Sequence, residues 1–217
     1  MIRRALEWLY PRKCVLCRSL LTREETDLCH PCRTDQPGYR YGKKQILHVS
    51  ELTALWMYED AVRQSLHRYK FRGARHYAGA YGRLLALRVQ ADLPRADLIT
   101  WVPVSAKRRR ERGYDQVELL AKAVAGELGI PAQKLLDKFR DNRPNSELRT
   151  QPERRANVLG VYKAVKPERF RGKRVLLLDD IVTTGATASE CARVLRTAGA
   201  EEILFAALAA AGKPSDK

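Results

Sequence analysis

The sequence predicts an open α/β domain, a mainly parallel sheet flanked by helices, preceded by a small four-cysteine module. Three observations carry this expectation. The chain ends in an apolar strand, Val175 to Leu178, a Thr/Gly loop, a helix striped by Cys191, Val194, Leu195 and Ala198 with Gly199 as its cap, and a strand from Ile203 to Leu208. Strand, helix, strand in that order implies a right-handed parallel crossover. Upstream, short apolar runs alternate with stripes at helical spacing. Four of the five cysteines fall within the first 32 residues, which marks a separate module, so the expected division is an arm over 1–44 and a main domain over 45–217.

The start, MIRRALEWLYPRKC, places Ile2, Ala5, Leu6 and Leu9 on one helical face, interrupted by Glu7 and closed by Pro11. A packed terminal helix is the preferred reading over one lying on a membrane or partner, and the pattern does not suit a secretory signal. Cys14-x-x-Cys17 and Cys29-x-x-Cys32 can then point four thiolates at one centre. Four sulfurs close a tetrahedral shell, so the ion expected is a structural zinc held by Cys14, Cys17, Cys29 and Cys32. Disulfides are the alternative, disfavoured in a reducing compartment. His30 is either a substitute ligand or a solvated neighbour, and Cys191, alone on an apolar stripe, reads as a buried small hydrophobe.

Pro37 to Lys44 has turn-forming Gly38 and Gly42 and no sustained period, so it reads as a linker. The main domain follows from near Ile46, with a strand from Leu52 to Tyr58 and a helix presenting Val62, Leu66 and Tyr69 before the Arg72-Gly73 stop. A second helix is predicted from about His76 to Gln90. The segment Asp97 to Val104 reads as a buried strand leading into SAKRRRERGYDQ. Val117, Leu120, Ala121, Val124 and Leu128 stripe the clearest helix, ended by Gly129 and Pro131. Lys138 to Lys163, polar and basic with Pro144 and Pro152, is expected to be a long exposed loop.

The chain has 217 residues, 45% hydrophobic and 30% charged, values that exclude a disordered or collagenous chain. Its longest apolar run, Ile203 to Ala211, falls short of the roughly 20 residues a membrane helix needs, and the cytoplasm is the expected location. Lys plus Arg number 41 against 25 Asp plus Glu, so 41 minus 25 leaves +16, which favours polyanionic partners.

The stretch VLLLDDIVTTGAT carries the chemistry. An apolar strand delivers Asp179 and Asp180 to its carboxyl end, where ligands bind in open α/β sheets. Thr183, Thr184, Gly185, Ala186 and Thr187 then offer backbone N–H groups and hydroxyls to a phosphate, and the following helix adds its positive dipole end. Adjacent carboxylates repel a phosphate, so their targets are vicinal sugar hydroxyls. Together the two features specify a ribose phosphate. No GxxxxGK[ST] loop is present.

This stretch resembles the phosphoribosyl pyrophosphate (PRPP) signature of type I phosphoribosyltransferases. With the four-cysteine front end, Tyr69-Lys70-Phe71-Arg72-Gly73, Val102-Pro103-Val104 before RRRERGYDQ, and Gln151 with Glu153-Arg154-Arg155-Ala156-Asn157, the chain resembles the ComF family nearly end to end. Tyr114-Asp115-Gln116 departs from the family's usual Phe-Asn-Gln. The resemblance implies a type I phosphoribosyltransferase fold behind a zinc-binding arm, and a link to single-stranded DNA uptake in natural transformation. It implies Asp179 and Asp180 as catalytic, ribose-holding carboxylates and Thr183 to Thr187 as the 5'-phosphate cradle. Magnesium would join pyrophosphate to sugar, and Lys107, Arg108, Arg109, Arg110 and Arg112 would neutralise the departing diphosphate.

Those basic residues also suit a solvated helix start or a DNA phosphate contact. Lys138, Arg140, Arg143, Arg149, Arg154 and Arg155, with Tyr69, Phe71, Tyr77 and Tyr81, interleave charge with aromatics as a single-strand binder would, although aromatics at helical spacing equally form core. His67 and His76 have no partner legible in the sequence. Two functions follow: a phosphoribosyltransferase with an unnamed acceptor, or a competence accessory protein that binds single strands and keeps the sugar-phosphate site as a sensor or relic.

Overall fold

A computed structural model describes residues 11–35, 45–142, 148 and 150–212, without the side chain of Gln151. The expected N-terminal helix, the 37–44 linker, Arg143 and Arg149 lie outside the described residues.

Among the described residues of the front segment, His30–Thr34 form a short helix, α1. The main unit runs β1 (Glu51–Met57), α2 (Asp60–Phe71), α3 (Tyr77–Asp92), β2 (Leu98–Trp101), α4 (Ala106–Arg112) and α5 (Gln116–Leu128). It continues through β3 (Leu136–Lys138), α6 (Gln151–Val158), β4 (Tyr162–Ala164), β5 (Arg174–Val182), α7 (Ala186–Thr197) and β6 (Glu202–Ala210). Strands β1, β6, β5 and β2 form one sheet in that order, every pair parallel. The central pair, β5 and β6, is buried on both faces, which is why both read as continuous apolar runs.

One face of the sheet packs on α2, α3 and α5 through Leu66, Tyr81, Leu85, Leu120 and Val124. At Gly82 of α3 an added Cβ would sit 2.4 Å from the Cβ of Ala123, so only glycine lets α3 and α5 approach this closely. The opposite face packs on α7 and the β3–β4 region through Phe170, Phe205, Leu195 and Tyr162.

Two elements differ from expectation. Strand β5 runs through Val182, four residues beyond Leu178, because Asp179, Ile181 and Val182 keep register with Ala207, Ala209 and Ala210 of β6. The region expected to be a loop between Lys138 and Lys163 contains α6 and, with Leu136, an antiparallel β3–β4 pair. Thr150 and Glu153 form a reciprocal capping box at the start of α6, and Val158, Val161 and Tyr162 are buried.

The arm shares the core of the α2–α3 face: Val15, Leu16 and Leu28 are buried in the same cluster as Val62 and Leu66. Ser65 Oγ donates to the Val15 carbonyl, and Arg68 donates to the carbonyls of Val15 and Leu16. Asp27 receives both ends of the Arg83 guanidinium fork, at 3.0 and 2.5 Å. No helix among the described residues is long and apolar enough to cross a membrane.

Candidate functional site

Asp179 and Asp180 lie in the last turns of the β5 pleat, so their side chains leave opposite faces of the sheet. Asp180 turns toward α2 and α5. Its Oδ1 pairs with Lys70 Nζ at 2.8 Å and its Oδ2 accepts from Gln116 Nε2 at 2.8 Å. Asp179 accepts from the backbone N–H of Asp180 at 2.8 Å. Burial first, and then the neighbouring Asp180 charge, push its carboxyl well above the usual carboxylate range.

Lys70 and Gln116 are aimed by a stitch between the end of α2 and the start of α5. Tyr69 hydroxyl donates to the Gln116 carbonyl at 2.6 Å, and Tyr114 hydroxyl donates to the Tyr69 carbonyl. Asp115 caps α5 through Val117 N–H at 2.9 Å and Glu118 N–H at 3.1 Å, and also receives Val104 N–H at 3.3 Å. Asp115 therefore fixes the Val102-Pro103-Val104 turn to the helix; asparagine and aspartate serve equally well as caps, so the departure at this position keeps the architecture.

The Thr183 to Thr187 turn closes the strand. Gly185 has φ +80 and sits at the N-cap of the twelve-residue α7, where a side chain would meet Ile46 at 2.9 Å. The hydroxyl of Thr184 accepts from Ala186 N–H at 3.4 Å. A 670 Å³ cavity opens here, and Asp179, Asp180 and all of Thr183–Thr187 line it, together with Lys70, Arg108, Arg112 and Arg154. A smaller 140 Å³ recess beside it is lined by Lys70, Val102–Val104, Arg108, Arg112, Gln116 and Lys138.

The five basic residues of the arginine-rich stretch separate on α4. Arg108 and Arg112, four apart and so on one helical face, line the cavity. Arg109 faces Glu118 at 3.6 Å, and Lys107, Arg109 and Arg110 are exposed and line neither cavity. Tyr69, Tyr77 and Tyr81 are core residues, which leaves Phe71 as the one exposed aromatic of the four singled out in the sequence. The sequence had named Lys70 and Gln116 only within motifs. Their role as partners of Asp180 depends on contacts that sequence spacing cannot show.

In the arm, one sulfur from each of Cys14, Cys17, Cys29 and Cys32 falls within 4.8 Å of the others. All four are free thiols, and three are buried. Burial raises the Cys17 thiol, but hydrogen bonds from Ser19, Cys29 and Cys14 outweigh it and bring it down to about 6, while burial pushes Cys29 and Cys32 up. Four sulfurs crowded without disulfides fit a four-thiolate zinc shell. His30 stands outside that set and gives only its backbone N–H to Glu25.

Residues 118–217 match the phosphoribosyl transferase domain model and residues 5–40 the double zinc ribbon domain model. Competence protein F of Haemophilus influenzae is 28% identical over 224 residues, 92% of this chain and 97% of that protein. The chain is thus similar over most of its length to proteins named competence protein F or ComFC. Competence protein ComFC of Bacillus subtilis is 26% identical over 209 residues, covering 90% of this chain and 83% of the relative. Among solved structures, glutamine PRPP amidotransferase from B. subtilis, complexed with ADP and GMP, is 25% identical with a TM-score of 0.44; the match covers 65% of this chain and 30% of that one. The chain has the type I phosphoribosyltransferase fold, a parallel sheet flanked by helices, with its cysteine cluster at the front.

Proposed function

We propose that this chain is a ComF-type protein that binds PRPP with magnesium and transfers its phosphoribosyl group to a nitrogen nucleophile. The observation that carries the reading is one cavity holding the acid pair and the Thr183–Thr187 turn together with Lys70, Arg108, Arg112 and Arg154. The turn and the α7 N-terminus would take the 5'-phosphate through backbone N–H groups. Asp179 and Asp180 would accept hydrogen bonds from the ribose hydroxyls, with Lys70 and Gln116 holding Asp180 in position. Arg108 and Arg112 would receive the diphosphate, with Lys138 in the adjoining recess.

In the transfer, the bond from C1 to the pyrophosphate oxygen breaks and its electron pair leaves with the diphosphate. The lone pair of the nucleophile forms the new C1–N bond, and the nitrogen then releases its proton to solvent. Magnesium, brought beside Asp179 and Asp180, would supply further charge neutralisation to the leaving group. The chain's own contribution is to hold both ends of the sugar and to aim fixed cations at the charge that develops.

PRPP with magnesium is expected to raise the melting temperature, and a D179N/D180N double variant to abolish the rise. An intact protein with no shift would remove the proposal. A second reading is favoured by the relatives' competence names and by the +16 charge: the exposed basic face binds single-stranded DNA. Affinity for a dT oligonucleotide should then fall steeply with salt, and a salt-independent affinity would count against it. We place the protein in the cytoplasm, where four free thiols remain reduced for zinc.

A further inference from the structure

The four arm thiols do not share one environment. Cys14, Cys29 and Cys32 are buried, whereas Cys17 is exposed. The Cys17 sulfur stands 3.5 Å from the Cys29 sulfur, donates to Ser19 Oγ at 3.2 Å and accepts from the Ser19 N–H at 3.5 Å. An oxidant arriving from solvent therefore meets Cys17 first and finds a second thiol in contact behind it.

The same knuckle carries the arm's grip on the main domain. Val15 and Leu16 are the two residues between Cys14 and Cys17, and their carbonyls take the hydrogen bonds from Ser65 and Arg68 of α2. Val15 N–H donates to the Asp27 carbonyl at 2.9 Å, which joins this knuckle to the one beginning at Cys29. Just beyond Arg68, Lys70 pairs with Asp180 at the cavity. A change in what Cys17 is bonded to thus acts on the adjoining carbonyls and, through them, on the helix that ends at the cavity.

We infer that Cys17 and Cys29 form a peroxide-sensitive thiol switch: oxidation joins the two sulfurs, opens the four-thiolate zinc shell and loosens α2 where it reaches the cavity. This rests on the zinc reading of the arm and, for its effect on ligand, on the PRPP reading of the cavity. The Cys17 thiolate attacks one oxygen of hydrogen peroxide, the O–O bond breaks, and the hydroxide that leaves takes a proton from solvent to become water. The Cys29 thiolate then attacks the resulting sulfenic sulfur. The S–S bond forms, the S–O bond breaks, and a second hydroxide leaves as water after taking a proton. Two thiolates have given up two electrons and the peroxide has accepted them. Cys14 and Cys32 alone cannot close a tetrahedral shell, so the ion is released.

The test uses the full-length, reduced, zinc-loaded protein, titrated with hydrogen peroxide. Zinc freed to a chromogenic chelator should reach the amount bound at the start, in step with a disulfide that peptide mass spectrometry maps to Cys17 and Cys29. Amide hydrogen exchange over α2 should quicken about tenfold or more, and ribose 5-phosphate affinity should fall about fivefold or more. Dithiothreitol followed by zinc should reverse both changes. C191S should respond as wild type does, since Cys191 is buried in the opposite face of the sheet. Reduced protein without zinc would remove the zinc reading and the switch together. Reduced protein that holds zinc but fails to bind ribose 5-phosphate would remove the sugar-phosphate reading alone, and the switch is then decided by zinc release and by exchange over α2. Zinc retained under peroxide, a disulfide mapped to another pair, or exchange over α2 unchanged once the disulfide has formed overturns the inference.

Discussion

Replacing Lys70 by Met should destabilise the protein by about 2–3 kcal/mol, and removing the Asp180 charge should recover most of that loss. The ammonium and carboxylate stand 2.8 Å apart with side chains 18% and 7% exposed. At an effective dielectric near 20 they attract by about 6 kcal/mol before the cost of removing both from water is counted. Breaking a buried pair typically costs about 3–5 kcal/mol because one charge is stranded. Two features pull this pair to or below the low end: Lys70 keeps some water, and the Gln116 amide still donates to Asp180. For a chain of this length that is a melting-temperature drop of roughly 4–12 °C. Thermal and urea unfolding of wild type, K70M, D180N and K70M/D180N form a double-mutant cycle, with an expected coupling of at least about 1 kcal/mol. PRPP affinity should fall in K70M, because Asp180 is no longer held. A K70M penalty of the same size in the D180N background would refute the pairing argument.

Chelating zinc from the arm should lower the melting temperature and also weaken PRPP binding, because the Val15 and Leu16 carbonyls hold Ser65 and Arg68 of α2; elemental analysis should find one zinc per chain, and metal-free protein with unchanged stability and PRPP affinity would refute this. G185A should destabilise by about 1–3 kcal/mol, since the position combines φ +80 with a contact to Ile46 at 2.9 Å, and should reduce the PRPP-induced thermal shift. Burial, reinforced by repulsion from Arg108, lowers Lys138 from 10.5 to about 8. Its charge is therefore lost as pH rises through about 8, so affinity for inorganic pyrophosphate should drop across that range and K138M should remove the drop. Stability runs the other way: between about 8 and 10.5 the unfolded chain binds a proton that the folded one does not, so the Lys138 contribution rises with pH across that window.

The framework of the fold was legible because its signals are local. The apolar runs of β5 and β6 and the stripe of α5 each depend on a short window of sequence, and the Cys-x-x-Cys pairs declare their own geometry. The β5 boundary was misjudged because two acids ordinarily end a strand, whereas here the long alanine-rich β6 keeps pairing past them to Val182. The region after Lys138 looked irregular because β3 and β4 are three residues each and polar residues dominate it. One signal there was available, since Thr150-Gln151-Pro152-Glu153 is a capping box with proline in the first turn. The division of the arginines was also available from helical period, because Arg108 and Arg112 are four apart. The partners of Asp180 were not: Lys70 and Gln116 reach it across 110 and 64 positions of sequence, and no spacing rule spans such separations.

Those two partners also explain why a cysteine knuckle lies against this domain. Helix α2 serves three clients at once. Val62, Leu66 and Tyr69 enter the sheet-side core, Ser65 and Arg68 bind arm carbonyls, and Lys70 and Phe71 finish the helix at the cavity. Twelve residues make only about three turns, so the helix has little intrinsic stability and its placement depends on what packs against it. A site that must hold a carboxylate to within a fraction of an ångström requires its supporting residues to be equally well fixed. Among the described residues of the arm the buried side chains other than the cysteines are Val15, Leu16, Asp27 and Leu28, and a loop of that size gains its rigidity from metal rather than from a core. Zinc at the front of the chain thus acts on the cavity at a distance, by fixing the knuckle that fixes α2, while Asp27 and Arg83 secure the same knuckle to α3. On this argument the arm is a brace for the cavity proposed to hold PRPP, and its loss should be felt first at Asp180, where the last residues of the braced helix make their contact.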